Sequence, residues 1–127
     1  MASTILLVDD NPVQAATRQA ILTHSGNKVL VAADGSQALT LMEDTELAKN
    51  VRLVITDHLM PKIGGPQFVA KLRQRFPNVA VLVLSGMPDA EAEYSGMNVL
   101  YRLKPIAPEE LISLVRSLCP EALGRTA

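Results

Sequence analysis

Short apolar runs rich in β-branched residues alternate with longer segments whose apolar residues recur every three or four positions, and this alternation restricts the fold more than any other feature. The runs are Thr4 to Val8, Lys28 to Ala32, Arg52 to Thr56, Val79 to Leu84 and Asn98 to Tyr101. Each precedes a helical pattern: Pro12 to Ser25, Gly35 to Leu47, Pro66 to Phe76, Pro88 to Ser95 and Pro108 to Leu118. Asn11-Pro12, Ser85 to Pro88 and Ala107-Pro108 put a proline where a helix begins and needs no amide donor, and Gly26, Pro77 and Gly96 mark stops. Ile5 to Val8 and Val79 to Leu84 are apolar at every position, as in parallel strands covered on both faces. The expected fold class is therefore α/β, a doubly wound arrangement of five βα units with helices on both sides of a parallel sheet. The stripe Leu111, Ile112, Leu114, Val115 and Leu118 reads as core-facing helix surface.

With 127 residues, 48% of them hydrophobic, the chain can bury one core, so residues 1–127 read as a single domain with a core of about 3–118 and a C-terminal tail, 119–127. Twelve basic and 13 acidic residues give a formal net charge of −1, which supplies no basic field for a nucleic acid backbone or an anionic membrane surface. No apolar stretch approaches the roughly 20 residues of a bilayer span, and the start reads as a strand, not a signal peptide. Cys119, the single cysteine, cannot form an internal disulfide, and a reducing cytoplasm is the simplest compartment.

In an open parallel sheet, ligands bind beyond the carboxyl ends of the strands. There the first run ends in Asp9-Asp10, the third in Asp57, the fourth in Ser85-Gly86, and the fifth is followed by Lys104-Pro105. Three carboxylates on one rim repel one another unless a hard cation neutralises them, and oxygen ligation suits Mg2+ or Mn2+. With such an ion at Asp9, Asp10 and Asp57, Asp57 can act as a carboxylate nucleophile toward a phosphoryl group. Lys104 and Ser85 would contact the remaining phosphoryl oxygens. Taken singly, each group has a plain structural reading: Asp9-Asp10-Asn11-Pro12 as a helix start, Asp57 as a loop acid, Ser85 as a helix cap, Lys104 as a surface lysine. The ordered set at four strand ends argues against four coincidences. His58 and His24, without a partner at ligand spacing, are assigned to solvent or helix-end positions.

These motifs resemble the response regulator receiver family over residues 3 to about 118. The resemblance rests on Val8-Asp9-Asp10, on Asp57-His58-Leu59-Met60-Pro61 through Gly64-Gly65, on Ser85-Gly86 and on Lys104-Pro105. It implies a flavodoxin-like sheet of strand order 2-1-3-4-5, phosphorylation at Asp57, and Mg2+ held by Asp10, Asp57 and the backbone carbonyl of Leu59, with Asp9 acting mainly through water. It also implies that Ser85 and Lys104 sense the phosphoryl group, that Tyr101 is the aromatic switch, that the Lys104-Pro105 bond is cis, and that the signal appears on the face of the fourth helix, fifth strand and fifth helix. A histidine kinase or histidine phosphotransfer domain would donate the phosphoryl group to a domain that is itself no enzyme, and an unknown downstream protein would read the outcome. The stretch from Ser85 to Lys104 is shorter than in many relatives, leaving little more than two helical turns, while Ser85-Gly86-Met87-Pro88-Asp89 and the run from Lys104-Pro105 to Pro108-Glu109-Glu110-Leu111 resemble receivers at the carboxyl end of hybrid histidine kinases. Leu59 and Met87, both apolar, border the path of an attacking water, so slow self-dephosphorylation is expected. Two other readings stand beside this one: a pseudo-receiver scaffold that has lost phosphorylation, and an aspartyl-phosphate phosphatase of the haloacid dehalogenase type, which needs an aspartate where Leu59 stands. Met1 favours a natural start, while the end at Ala127 leaves open a free-standing chain or a fragment of a larger regulator.

Overall fold

A computed structural model describes residues 4–119 of the chain. It contains β1 (Thr4–Val8), α1 (Pro12–His24), β2 (Lys28–Ala32), α2 (Gly35–Leu41), α3 (Thr45–Asn50), β3 (Val51–Asp57), α4 (Gly65–Arg75), β4 (Ala80–Ser85), a 3₁₀ segment (Pro88–Tyr94), β5 (Leu100–Leu103) and α5 (Pro108–Leu118). The strands form one parallel sheet in the order β2-β1-β3-β4-β5, the order that the resemblance implies. The tail beyond Cys119 lies outside the described residues.

Because strand side chains alternate between faces, the apolar runs divide into two cores. Leu6, Val8, Val54, Val81 and Val83 pack with Ala38, Met42, Phe68, Val69 and Leu72 of the helices on one side. Ile5, Leu7, Leu53, Ile55, Leu82 and Leu84 pack with Ala15 and Leu22 of α1 and Leu111 and Val115 of α5 on the other. Fully burying one such side chain contributes about 1.5–3 kcal/mol, so the middle strands hold most of the hydrophobic driving force. Local signals then fix the ends. Asn11 accepts hydrogen bonds from the amides of Val13 and Gln14 ahead of Pro12, and Asp34 accepts one from Gln37 at the start of α2.

Beyond shifts of one residue at element ends, three elements depart from the sequence expectation. The segment from Gly35 to Leu47 is two helices, because Asp44 adopts an extended conformation and caps a new start by accepting from the amides of Glu46 and Leu47. The stretch after β4 is a 3₁₀ segment, whose short-range bonds include Ala90 N–H to Met87 O at 3.2 Å. β5 begins at Leu100 and not at Asn98, since Asn98 has a φ of 57°, outside the extended region.

Phe68, on α4, is fully buried against the sheet. Phe68→Ala is expected to lower unfolding stability by about 3–5 kcal/mol, a large share of the roughly 5–15 kcal/mol of a typical domain, as read from the midpoint of urea denaturation followed by circular dichroism.

Candidate functional site

The strand ends bring the predicted acids together. Asp9 follows β1 and stays tied to β2, its amide donating to the Ala32 carbonyl at 3.0 Å, while Asp57 is the last residue of β3. Since β1 and β3 are neighbours, the carboxylates emerge side by side. Asp9 and Asp57 are only 2% and 4% exposed, whereas Asp10 faces solvent. One oxygen from each of the three lies within 4.8 Å of the others.

The charges are compensated unevenly. Asp9 Oδ1 accepts from the Asn11 amide at 2.9 Å and its Oδ2 from Arg18 Nη1 at 2.9 Å. Asp57 Oδ1 lies 3.0 Å from Lys104 Nζ and 3.6 Å from Arg18 Nη1, yet this buried oxygen accepts no aligned hydrogen bond among the described residues. Burial, followed by the neighbouring Asp9, pushes the Asp57 carboxyl up to about 7, with Lys104 pulling the other way. An under-satisfied buried carboxylate beside two other acids is a donor set that fits a hard divalent cation.

Ser85 closes β4 and is buried, with its hydroxyl accepting from the Met87 amide at 2.9 Å. Its carbonyl accepts from the Lys104 amide at 2.8 Å, which docks the end of β5 beside β4. The Lys104-Pro105 bond is cis, as the resemblance implies. Leu59 is 68% exposed and Met87 is also exposed, each two residues beyond the last residue of its strand, Asp57 and Ser85. Tyr101 is already packed inward: it is buried, its ring lies 5.8 Å from that of Tyr94, and its hydroxyl donates to the Met87 carbonyl.

Two residues near the site escaped the sequence reading. Arg18 was not among the candidates, although Asn11, Gln14 and Arg18 recur at the three- and four-residue spacing that puts them on one helix face, here the face turned to the rim. His58 requires a correction, since it was assigned to solvent or a helix end and is in fact 5% exposed. The reason lies in strand alternation. The His58 amide continues the β3–β4 pairing by donating to Leu84 O at 3.1 Å, so its ring follows Val54 and Thr56 to the same face. There its Nδ1 is 2.7 Å from the Tyr94 hydroxyl, and its Nε2 is 3.8 Å from Glu93 Oε2. The hydroxyl fits only because Gly65 has no side chain, as a Cβ there would clash with it. His24 is exposed at the end of α1, as expected.

A doubly wound parallel sheet with an acid cluster, a lysine and a hydroxyl on its carboxyl rim defines a class of phosphoryl-handling α/β domain. Comparison with known proteins names the class. A model of the response regulator receiver domain matches residues 5–116, so the chain belongs to that family. It is 35% identical over 121 residues to a response regulator of Synechocystis, covering 91% of this chain and 51% of that protein. It is 34% identical over 121 residues to an uncharacterized 14.6 kDa protein of Leptolyngbya boryana, covering 91% and 88%. The solved response regulator protein TrrA of Thermotoga maritima, in complex with Mg2+ and BeF, is similar with a TM-score of 0.81 and 26% identity, covering 91% and 98%. The chain spans about half or less of the length of several curated relatives that it matches. Among the described residues, no helix is long and apolar enough to cross a membrane.

Burial and the nearby Asp9 raise the proton affinity of the Asp57 carboxyl in the folded state. Because the folded protein holds this proton more tightly than the unfolded chain, the group's contribution to stability is full below about pH 4 and is lost as pH rises through about 7. Asp57→Asn removes that dependence. In metal-free buffer the variant is expected to gain stability over wild type by about 4 kcal/mol between pH 4 and 8, measured by denaturant titration at each pH.

Proposed function

We propose that Asp57 is the phosphoacceptor of this receiver, taking a phosphoryl group from the histidine of a sensor kinase or a phosphotransfer domain in the cytoplasm. The observation that carries this reading is the buried Asp57 Oδ1, which accepts no aligned hydrogen bond among the described residues, lies 3.0 Å from Lys104 Nζ and belongs to the three-acid cluster. A carboxylate oxygen left in that state is free to attack phosphorus. The new P–O bond forms as the P–N bond of the donor breaks, and the donor imidazole keeps the electron pair.

Asp9, Asp10, Asp57 and the Leu59 carbonyl are the groups proposed to hold Mg2+, with Mn2+ as a substitute. The bound ion would supply positive charge that keeps Asp57 ionised and offsets the charge of the incoming phosphoryl group. Lys104 neutralises a second phosphoryl oxygen, for which its ammonium already stands at Asp57. Ser85 supplies a hydroxyl donor from the end of β4.

The same hydroxyl offers a route for the signal. Ser85 Oγ accepts from the Met87 amide, and the Met87 carbonyl holds the Tyr101 hydroxyl. When Ser85 turns to donate to a phosphoryl oxygen, it releases the Met87 amide and loosens the peptide that anchors Tyr101. The surface formed by the 3₁₀ segment, β5 and α5 then changes for a protein partner. Tyr101 starts from a buried position, so the switch proceeds by exchange of its partner, without a swing from solvent. The output is a protein contact, and the chain turns over no separate substrate.

Intact mass spectrometry after incubation with acetyl phosphate and Mg2+ tests the assignment. One phosphoryl adduct is expected in wild type and none in Asp57→Asn; an adduct of equal yield in the variant would refute it. Because Leu59 and Met87 are exposed and apolar, neither can align a hydrolytic water by hydrogen bonding. The wild-type adduct is therefore expected to persist well beyond seconds, and Leu59→Asn to shorten its life by roughly tenfold, followed by the decay of the mass adduct after removal of the donor.

A further inference from the structure

We propose that Arg18 is a tethered cation of this pocket that competes with the divalent ion and weakens its binding. The inference rests on reading Asp9, Asp10 and Asp57 as the metal site. Its basis is geometric. Arg18 Nη1 lies 2.9 Å from Asp9 Oδ2 and 3.6 Å from Asp57 Oδ1, and its side chain is only 11% exposed. Gln14 Oε1, 3.4 Å from the same nitrogen and one turn earlier on α1, steadies it.

The position follows from the helix. α1 starts immediately after the acid pair, capped by Asn11, so the side chain at 18 returns over the rim within two turns. A guanidinium stays charged at every workable pH and aligns its donors in a fixed plane, so it holds carboxylates more specifically than a lysine would.

Two consequences for the site arise from charge. The buried acids Asp9 and Asp57 already face two cations, Arg18 and Lys104, which leaves exposed Asp10 as the member of the cluster without an ion pair among the described residues. Both oxygens of Asp9 are also occupied, one by the Asn11 amide and one by Arg18. A divalent ion entering here must either displace the guanidinium from Asp9 or settle beside it, and each route lowers affinity. Lys104 cannot play the same part, because it contacts Asp57 and not Asp9 among the described ion pairs.

Calorimetric titration with MgCl2 at fixed ionic strength and pH tests the proposal on the whole chain. Arg18→Met keeps the apolar stem and removes the charge, and its Mg2+ dissociation constant is expected to fall about tenfold below that of wild type. Arg18→Lys, which keeps the charge, is expected to remain within about threefold of wild type. In parallel, the metal-free melting temperature of Arg18→Met should drop while its rise on adding Mg2+ should grow, a pairing that a purely bracing role for Arg18 would not produce. If Arg18→Met does not hold its fold by circular dichroism, Arg18→Gln, which can still donate to Asp9 without charge, serves in its place. Equal or weaker Mg2+ binding in the uncharged variants overturns the inference, and does so without touching Asp57 as acceptor if the phosphoryl adduct still forms. Absence of Mg2+ binding in wild type and variants alike would instead bring down the metal-site reading, and this inference with it.

Discussion

β1 and β3 lie next to each other, so the residues at their carboxyl ends, Asp9 and Asp57, place two nearly dry carboxylates within one small volume. Burial and the neighbouring Asp9 charge raise the proton affinity of Asp57. Much of what surrounds the rim answers that problem. Asn11 spends its amide on Asp9 as well as its side chain on the first turn of α1. Lys104 arrives from β5, held by its own amide to Ser85, and Arg18 arrives from α1. The cap and body of α1 and the end of β5 thus converge on the acids, and the sheet order decides which elements can.

Placing the site at the sheet's rim separates stability from chemistry. The apolar pairs that hold the sheet together, such as Leu6 with Val54 and Ile55 with Leu82, lie in the strand interiors. The polar groups stand at strand ends, where a change of bonding costs the cores little. Ser85 shows the arrangement at a single residue, since its backbone belongs to the β4–β5 ladder while its hydroxyl is engaged outside it by Met87. A hydroxyl that can exchange partners without breaking the ladder suits a small population shift between two states.

Much of this was readable in the residues themselves. Runs such as Thr4 to Val8 and Lys28 to Ala32 have the bounds that their pattern indicates, because alternation and flanking turn residues act locally. Pro108 likewise marks the start of α5. Where the reading departs from the structure, a backbone event intervenes that hydrophobic period does not report: the left-handed Asn98 before β5 and the extended Asp44 between α2 and α3. The acids, Ser85 and Lys104 could be placed because each sits at a strand end. Arg18 and His58 needed tertiary information, although helix-face spacing for one and strand alternation for the other contained a usable hint.

The fit of the Tyr94 hydroxyl against Gly65 and His58 links two loops that leave different strands. The loop after β3 and the 3₁₀ segment after β4 are shaped as one block, and Gly65 cannot gain a side chain while the Tyr94 hydroxyl keeps its place. In an alignment of close relatives, a side chain at the position of Gly65 should therefore be accompanied by a shorter residue at the position of Tyr94. The two sites would drift together over evolution even though 28 intervening positions separate them.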